Sequence, residues 1–277
     1  MSDIVIAAAK RTAIGSFLGQ FNGVPTPTLG AAAIAAALEQ SGIPAADVSE
    51  VIMGCVLPAN LGQAPARQAS RAAGIPDAAG ATTVNKVCGS GMQTVIMGAE
   101  ALAAGSVDLI VAGGMESMTN APYLLKKHRG GARIGHDTAY DHMFLDGLED
   151  AYDAGRAMGT FAQDTADAYQ LSRQAQDDYT LESLSRAKAA IADGAFVIFF
   201  DSHVQQVTAI GQTGVQLVEG IDDLRQRSAL AAQFLGVFRF VPDTRIFKLA
   251  IDFGQTLMLL IVVKDTPEWI RSARSGP

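Results

Sequence analysis

Asn85-Lys86-Val87-Cys88-Gly89-Ser90-Gly91-Met92-Gln93 sets a single cysteine between an extended apolar segment and the start of a helix. Upstream, Ala81-Thr82-Thr83-Val84 reads as a buried strand. Downstream, Met92, Val95, Ile96, Ala99, Leu102 and Ala103 recur at helical spacing, and the pattern stops at Gly105. The unpaired N–H groups and partial positive charge of a helix start stabilise a thiolate, the form of cysteine that attacks carbonyl carbon. Gly89 and Gly91 carry no side chain, so backbone can approach a bound acyl group and its N–H groups can face a developing oxyanion. The competing reading is a cysteine that serves as a small buried hydrophobe, the usual fate of a free thiol in an alanine-rich chain.

The elements around Cys88 alternate. A strand is expected over Ile4–Ala8, a helix over Thr28–Gln40 ended by Gly42 and Pro44, and a strand over Val51–Val56. A helix over Ala66–Ala73, a strand over Ala81–Val87, the helix Met92–Ala104 and a strand over Leu109–Ala112 follow. This alternation predicts an α/β fold with a parallel-rich sheet covered by helices. The strands are nearly continuous apolar runs, as expected where both faces are buried. From Thr119 to Ala162 the pattern turns irregular, and Ser172 then reads as the N-cap of a helix running to Asp193. Tyr179, Ser183, Ala187 and Ala190 of that helix share a face that either meets a partner or docks locally.

Five segments together are similar to the thiolases, the acyl-CoA acetyltransferases. They are Lys10-Arg11-Thr12-Ala13-Ile14-Gly15-Ser16-Phe17, Gly62-Gln63-Ala64-Pro65-Ala66-Arg67-Gln68, and the stretch around Cys88. The fourth is Gly113-Gly114-Met115-Glu116-Ser117-Met118-Thr119-Asn120-Ala121-Pro122-Tyr123, and the fifth pairs Asp146-Gly147-Leu148 with Ala157-Met158-Gly159-Thr160. The resemblance runs from Ile4 to about Phe196. It implies a thiolase-like N-terminal core over residues 1–118, a partial inserted loop domain over 119–196, and a tail of unassigned fold over 197–277.

The same resemblance implies that Cys88 is the catalytic nucleophile, carrying an acyl group as a thioester. It implies that Leu148 and Met158 pack against coenzyme A, with ordinary apolar packing as the alternative. Acyl-CoA and coenzyme A would be substrates and partners, with no permanently bound cofactor and no metal, and the chain would form a homo-oligomer. Thiolases also use a Gly-His-Pro histidine, an Asn-Glu-Ala-Phe asparagine and a second cysteine in a Cys-x-Gly-Gly-Gly loop, and none of these motifs occurs in the 277 residues. Cys55, in the run Val51-Ile52-Met53-Gly54-Cys55-Val56-Leu57, reads as a core residue. Enolising an acetyl thioester needs a positioned base and an oxyanion hole acting together. Impaired acyl transfer is therefore the expectation, with an inactive acyl-CoA-binding or subunit-pairing fragment, or an interaction protein with a relic thiolase segment, as alternatives.

Composition narrows the classes further. The net charge of −7 resides wholly in the part before Val197, and an acidic chain of pI about 5.1 is a poor match for nucleic acid. Two cysteines without metal-ligand spacing predict a reducing compartment, and Met1-Ser2-Asp3 begins no signal peptide, so a cytoplasmic location is expected. The run Lys126-Lys127-His128-Arg129 with Arg133 reads as a solvated basic loop, with contact to the phosphates of coenzyme A as the alternative. Beyond Phe196 the chain becomes rich in phenylalanine. A helix is expected over Asp223–Leu235, with strand-like runs at Val237–Val241 and Ile246–Phe253. The apolar run Leu257–Val263 is far short of the ~20 residues of a membrane span and reads as a strand.

Overall fold

The computed structural model describes residues 4–193 and 259–264. The described chain forms two compact units, residues 4–143 with 259–264, and residues 144–193. The expected helix at Asp223–Leu235 and the runs at Val237–Val241 and Ile246–Phe253 lie outside the described residues.

The first unit is built on a five-stranded sheet. Strands β1 (Ile4–Lys10), β2 (Glu50–Gly54), β3 (Gly80–Val84) and β4 (Leu109–Gly114) are joined by β7 (Leu259–Lys264), in the order β1-β7-β4-β2-β3. β2 pairs in parallel with β3 and β4, while β7 runs antiparallel to both β1 and β4. A strand from beyond residue 197 therefore stands inside the sheet, and the reading of the Leu257–Val263 run as a strand holds for its backbone.

Helices α1 (Thr26–Ser41) and α2 (Pro65–Ala72) cover one face, and α3 (Ser90–Ala104) covers the other. Side-chain alternation along the strands explains the layering. Val51, Met53 and Val111 pack with Ile34, Ala37 and Ala69, whereas Ile52 and Ile110 pack with Leu102. α1 stops where expected, because Gly42 adopts the left-handed conformation (φ 66°) and its N–H caps Glu39 O. Gly105 ends α3 in the same way.

Two expectations are corrected. The strand predicted over Ala81–Val87 ends at Val84, since Val87 has φ 49° and cannot continue an extended chain. Nor is that strand buried: β3 is the edge of the described sheet, and Thr82 is exposed. On α3 part of the apolar stripe is exposed. Ser90, Thr94, Gly98 and Leu102 face the sheet, while Met92 and Ile96 remain 41% and 37% exposed. Small residues face inward because the helix lies close: a Cβ on Gly98 would stand 3.2 Å from Ile110 Cγ2.

A short hairpin, β5 (Tyr123–Leu124) with β6 (Tyr140–Asp141), completes the described part of the first unit. The second unit holds a π-helical stretch, Phe144–Leu148, and helices α4 (Met158–Ala168) and α5 (Arg173–Ala192). Ser172 caps α5 as expected, its hydroxyl accepting from Ala175 N at 3.1 Å. No residue of α5 is buried; Tyr179, Ser183 and Ala187 are exposed and Ala190 is half-buried.

Candidate active site

The carboxyl ends of β2, β3 and β4 carry the residues that hold Cys88. After Val84 the chain turns through Asn85–Cys88 and enters α3. Asn85 Oδ1 accepts from Val87 N at 2.9 Å, closing a side-chain-to-backbone turn. That bond supports Val87, a β-branched residue at positive φ, where backbone strain is expected. Ser90 is the second lock: its hydroxyl accepts from Lys86 N at 2.8 Å and donates to Val87 O at 2.5 Å. Gly89 N donates to Lys86 O at 3.1 Å, so the expected use of its N–H against an oxyanion is not met.

Cys88 is exposed, one residue ahead of Gly89, the N-cap of α3. Its position depends on how closely α3 meets the strand ends. A Cβ on Gly54 would lie 2.7 Å from Ser90 Cβ and 2.8 Å from Gly91 N, so only glycine fits there without displacing the helix start. Thr94 Oγ1 bonds Gly91 O at 2.7 Å and Gly113 O at 2.9 Å, tying the first turn of α3 to β4.

Cys55 is the opposite case. It is 1% exposed, as expected for a core residue, and its thiol is pushed up to about 12 by burial first and by Glu116 second. Glu116, half-buried just past β4, accepts from Val56 N at 2.7 Å and Leu57 N at 3.1 Å. Burial holds its carboxyl above the usual carboxylate range, against the opposing pull of those two N–H groups, Cys55 and His142. His142 is 4% exposed, and its Nε2 accepts from Ala59 N at 3.4 Å. Sequence reasoning treated Glu116 only as part of a motif. The available signal was a lone carboxylate in an otherwise uncharged run from Leu109 to Leu125.

Within the second unit, Leu148 ends the π-helical stretch and is half-buried, and Met158 begins α4 and is 38% exposed. An antiparallel bridge between Glu149 and Ala157 closes the loop between them, leaving Leu148 and Met158 one residue outside it on either side. Arg156 inside that loop is engaged locally, with Asp164, with Thr160 Oγ1 at 3.1 Å and over the Phe161 ring at 4.1 Å.

The basic run is exposed and answered locally, as Lys127 and His128 meet Asp137 at 4.0 Å and 3.0 Å and Lys126 lies over Tyr140. Among the described residues no three His, Cys, Asp or Glu stand close enough to hold a metal ion. No helix among them is long and apolar enough to cross a membrane.

A family model described as the thiolase N-terminal domain matches residues 4–228, reaching beyond Phe196, where the motif resemblance ends. The chain is 49% identical over 195 residues to acetyl-CoA acetyltransferase 2 of Arabidopsis thaliana, covering 70% of this chain and 48% of that protein. It is 48% identical over 196 residues to an acetyl-CoA acetyltransferase of Pseudomonas aeruginosa, covering 71% and 50%. Among solved structures, the Acat5 thiolase of Ascaris suum in complex with coenzyme A matches with a TM-score of 0.74 at 28% identity, covering 99% of this chain and 69% of that one. The chain spans about half the length of the curated relatives it matches. It belongs to the thiolase family, through that family's N-terminal domain.

Proposed function

We propose that the chain performs the first half of a thiolase-type acyl transfer, with a coenzyme A thioester as acyl donor and Cys88 as nucleophile. The observation that carries the reading is the exposed Cys88 thiol, held by a constrained turn at the mouth of α3. The Cys88 thiolate attacks the thioester carbonyl. The new carbon–sulfur bond forms to Cys88 Sγ, the bond to the coenzyme A sulfur breaks, and coenzyme A leaves. A second thioester would then take the acyl group, in a ping-pong sequence.

Leu148 and Met158 are proposed to pack against coenzyme A, a role supported by the bridge that sets them on either side of one closed loop. The Gly-His-Pro, Asn-Glu-Ala-Phe and Cys-x-Gly-Gly-Gly motifs are not among these 277 residues, so condensation by this chain alone is proposed to be slow. Exposed Met92 and Ile96 on α3 support association into a homo-oligomer or pairing with another subunit. Chromatographic measurement of coenzyme A released from acetyl-CoA tests the reading. About one equivalent per chain is expected, and none from C88A; equal release from both would overturn the role of Cys88.

A further inference from the structure

A half-buried carboxylate is a costly way to hold two peptide N–H groups, and Glu116 spends both oxygens on them: Oε2 on Val56 N and Oε1 on Leu57 N. These are the first peptides leaving β2 after Cys55, and that departure is pinned again where Ala59 N meets His142. The same segment supports the turn before Cys88. Cys55 N donates to Val84 O at 2.9 Å, and Val56 O accepts from Asn85 Nδ2 at 3.4 Å. Asn85 turns its other amide atom, Oδ1, onto Val87 N and so holds the residue at φ 49° that presents Cys88.

We infer that Glu116 is a positioning residue for Cys88, acting through the Val56–Leu57 backbone and the Asn85 side chain on the Val87 turn. The inference rests on the reading of Cys88 as the nucleophile and assigns a residue that sets its geometry. A carboxylate is required because both oxygens accept at once. Glutamine of the same shape offers one acceptor and turns an amide N–H against the other donor. Glu116 does not touch the reacting atoms in this scheme.

The test is the rate of Cys88 alkylation by iodoacetamide in E116Q, N85A and the double variant of the full chain, with Cys55 labelling as the check on folding. Alkylation needs a reactive thiol and no coenzyme A, so its outcome is separable from that of the acyl-transfer reading. Each single variant is expected to slow Cys88 labelling by about threefold or more while Cys55 stays protected. The double variant should then be no slower than the slower single one, because the two residues act along one path. Unchanged or faster Cys88 labelling in E116Q, or fully multiplicative effects in the double variant, would overturn the inference. If E116Q exposes Cys55, E116D takes its place, keeping the charge but shortening the reach, with the same two outcomes. Exposure of Cys55 in both would also overturn it, since Glu116 would then hold the unit rather than the turn.

Discussion

The two cysteines show how environment separates residues of one type. Cys88 is exposed at a helix start, whereas Cys55 is 1% exposed with its thiol pushed up to about 12. Only the thiolate is nucleophilic, so Cys55 is protected both by access and by ionisation. Iodoacetamide at neutral pH, read by peptide mass, should label Cys88 while Cys55 stays unmodified until the protein unfolds. Comparable labelling of both in the folded chain would contradict this. Ser70 offers a second residue-scale prediction. Its hydroxyl is fully buried in α2 without a hydrogen-bond partner among the described residues. Replacing Ser70 by alanine removes an unsatisfied group and raises helix propensity, so S70A should be neutral or stabilising by up to about 1 kcal/mol in denaturant unfolding.

At the scale of elements, the distance between α3 and the sheet governs the site. Gly54 is the contact point, since a methyl group there would meet Ser90 and Gly91 backbone below 3 Å. G54A should therefore destabilise the protein by about 2 kcal/mol, the cost of overpacking a site whose neighbours are main chain, and should slow Cys88 alkylation together with the loss of stability. Much of this architecture was legible in the sequence: alternation gave the helices and parallel strands, and glycines at 42 and 105 gave two helix ends. The end of β3 was not legible, because Thr83-Val84-Asn85-Lys86-Val87 has strand-like composition while the positive φ at Val87 is imposed by Asn85 and Ser90. The close approach of α3 to the sheet was not legible for a related reason. Apolar spacing identifies a helix, but close approach to a sheet favours small residues such as Gly98, which periodicity does not weigh.

Two of the family-like segments turn out to hold structural fasteners, which explains why their residue types were recognisable while their roles were not. Gln68 donates to Leu61 O and Gln63 O, Arg67 donates to Ala79 O, and Asn120 accepts from Gly23 N and donates to Val24 O. Each closes a loop onto an element near the sheet.

The whole molecule depends on distant parts of the chain meeting. β1 pairs with β7 and has no other partner strand in the described sheet, so residues 4–10 are held by residues 259–264. A chain ending at residue 196 loses that partner. Hydrogen exchange of the Ile4–Lys10 backbone should be protected in the full chain and fast in the shortened one; equal protection would show that β1 finds another partner. A pairing between segments some 250 residues apart has no local signature, so the sequence reading recognised a strand at Leu257–Val263 without placing it. The central claim remains that this family member carries an acyl group on one thiol. Intact-mass analysis of the full chain after exposure to acetyl-CoA, with peptide mapping, tests it most directly. A single acetyl adduct on Cys88, absent in C88A, is the predicted result; no adduct, or an adduct that survives the C88A substitution, would contradict it.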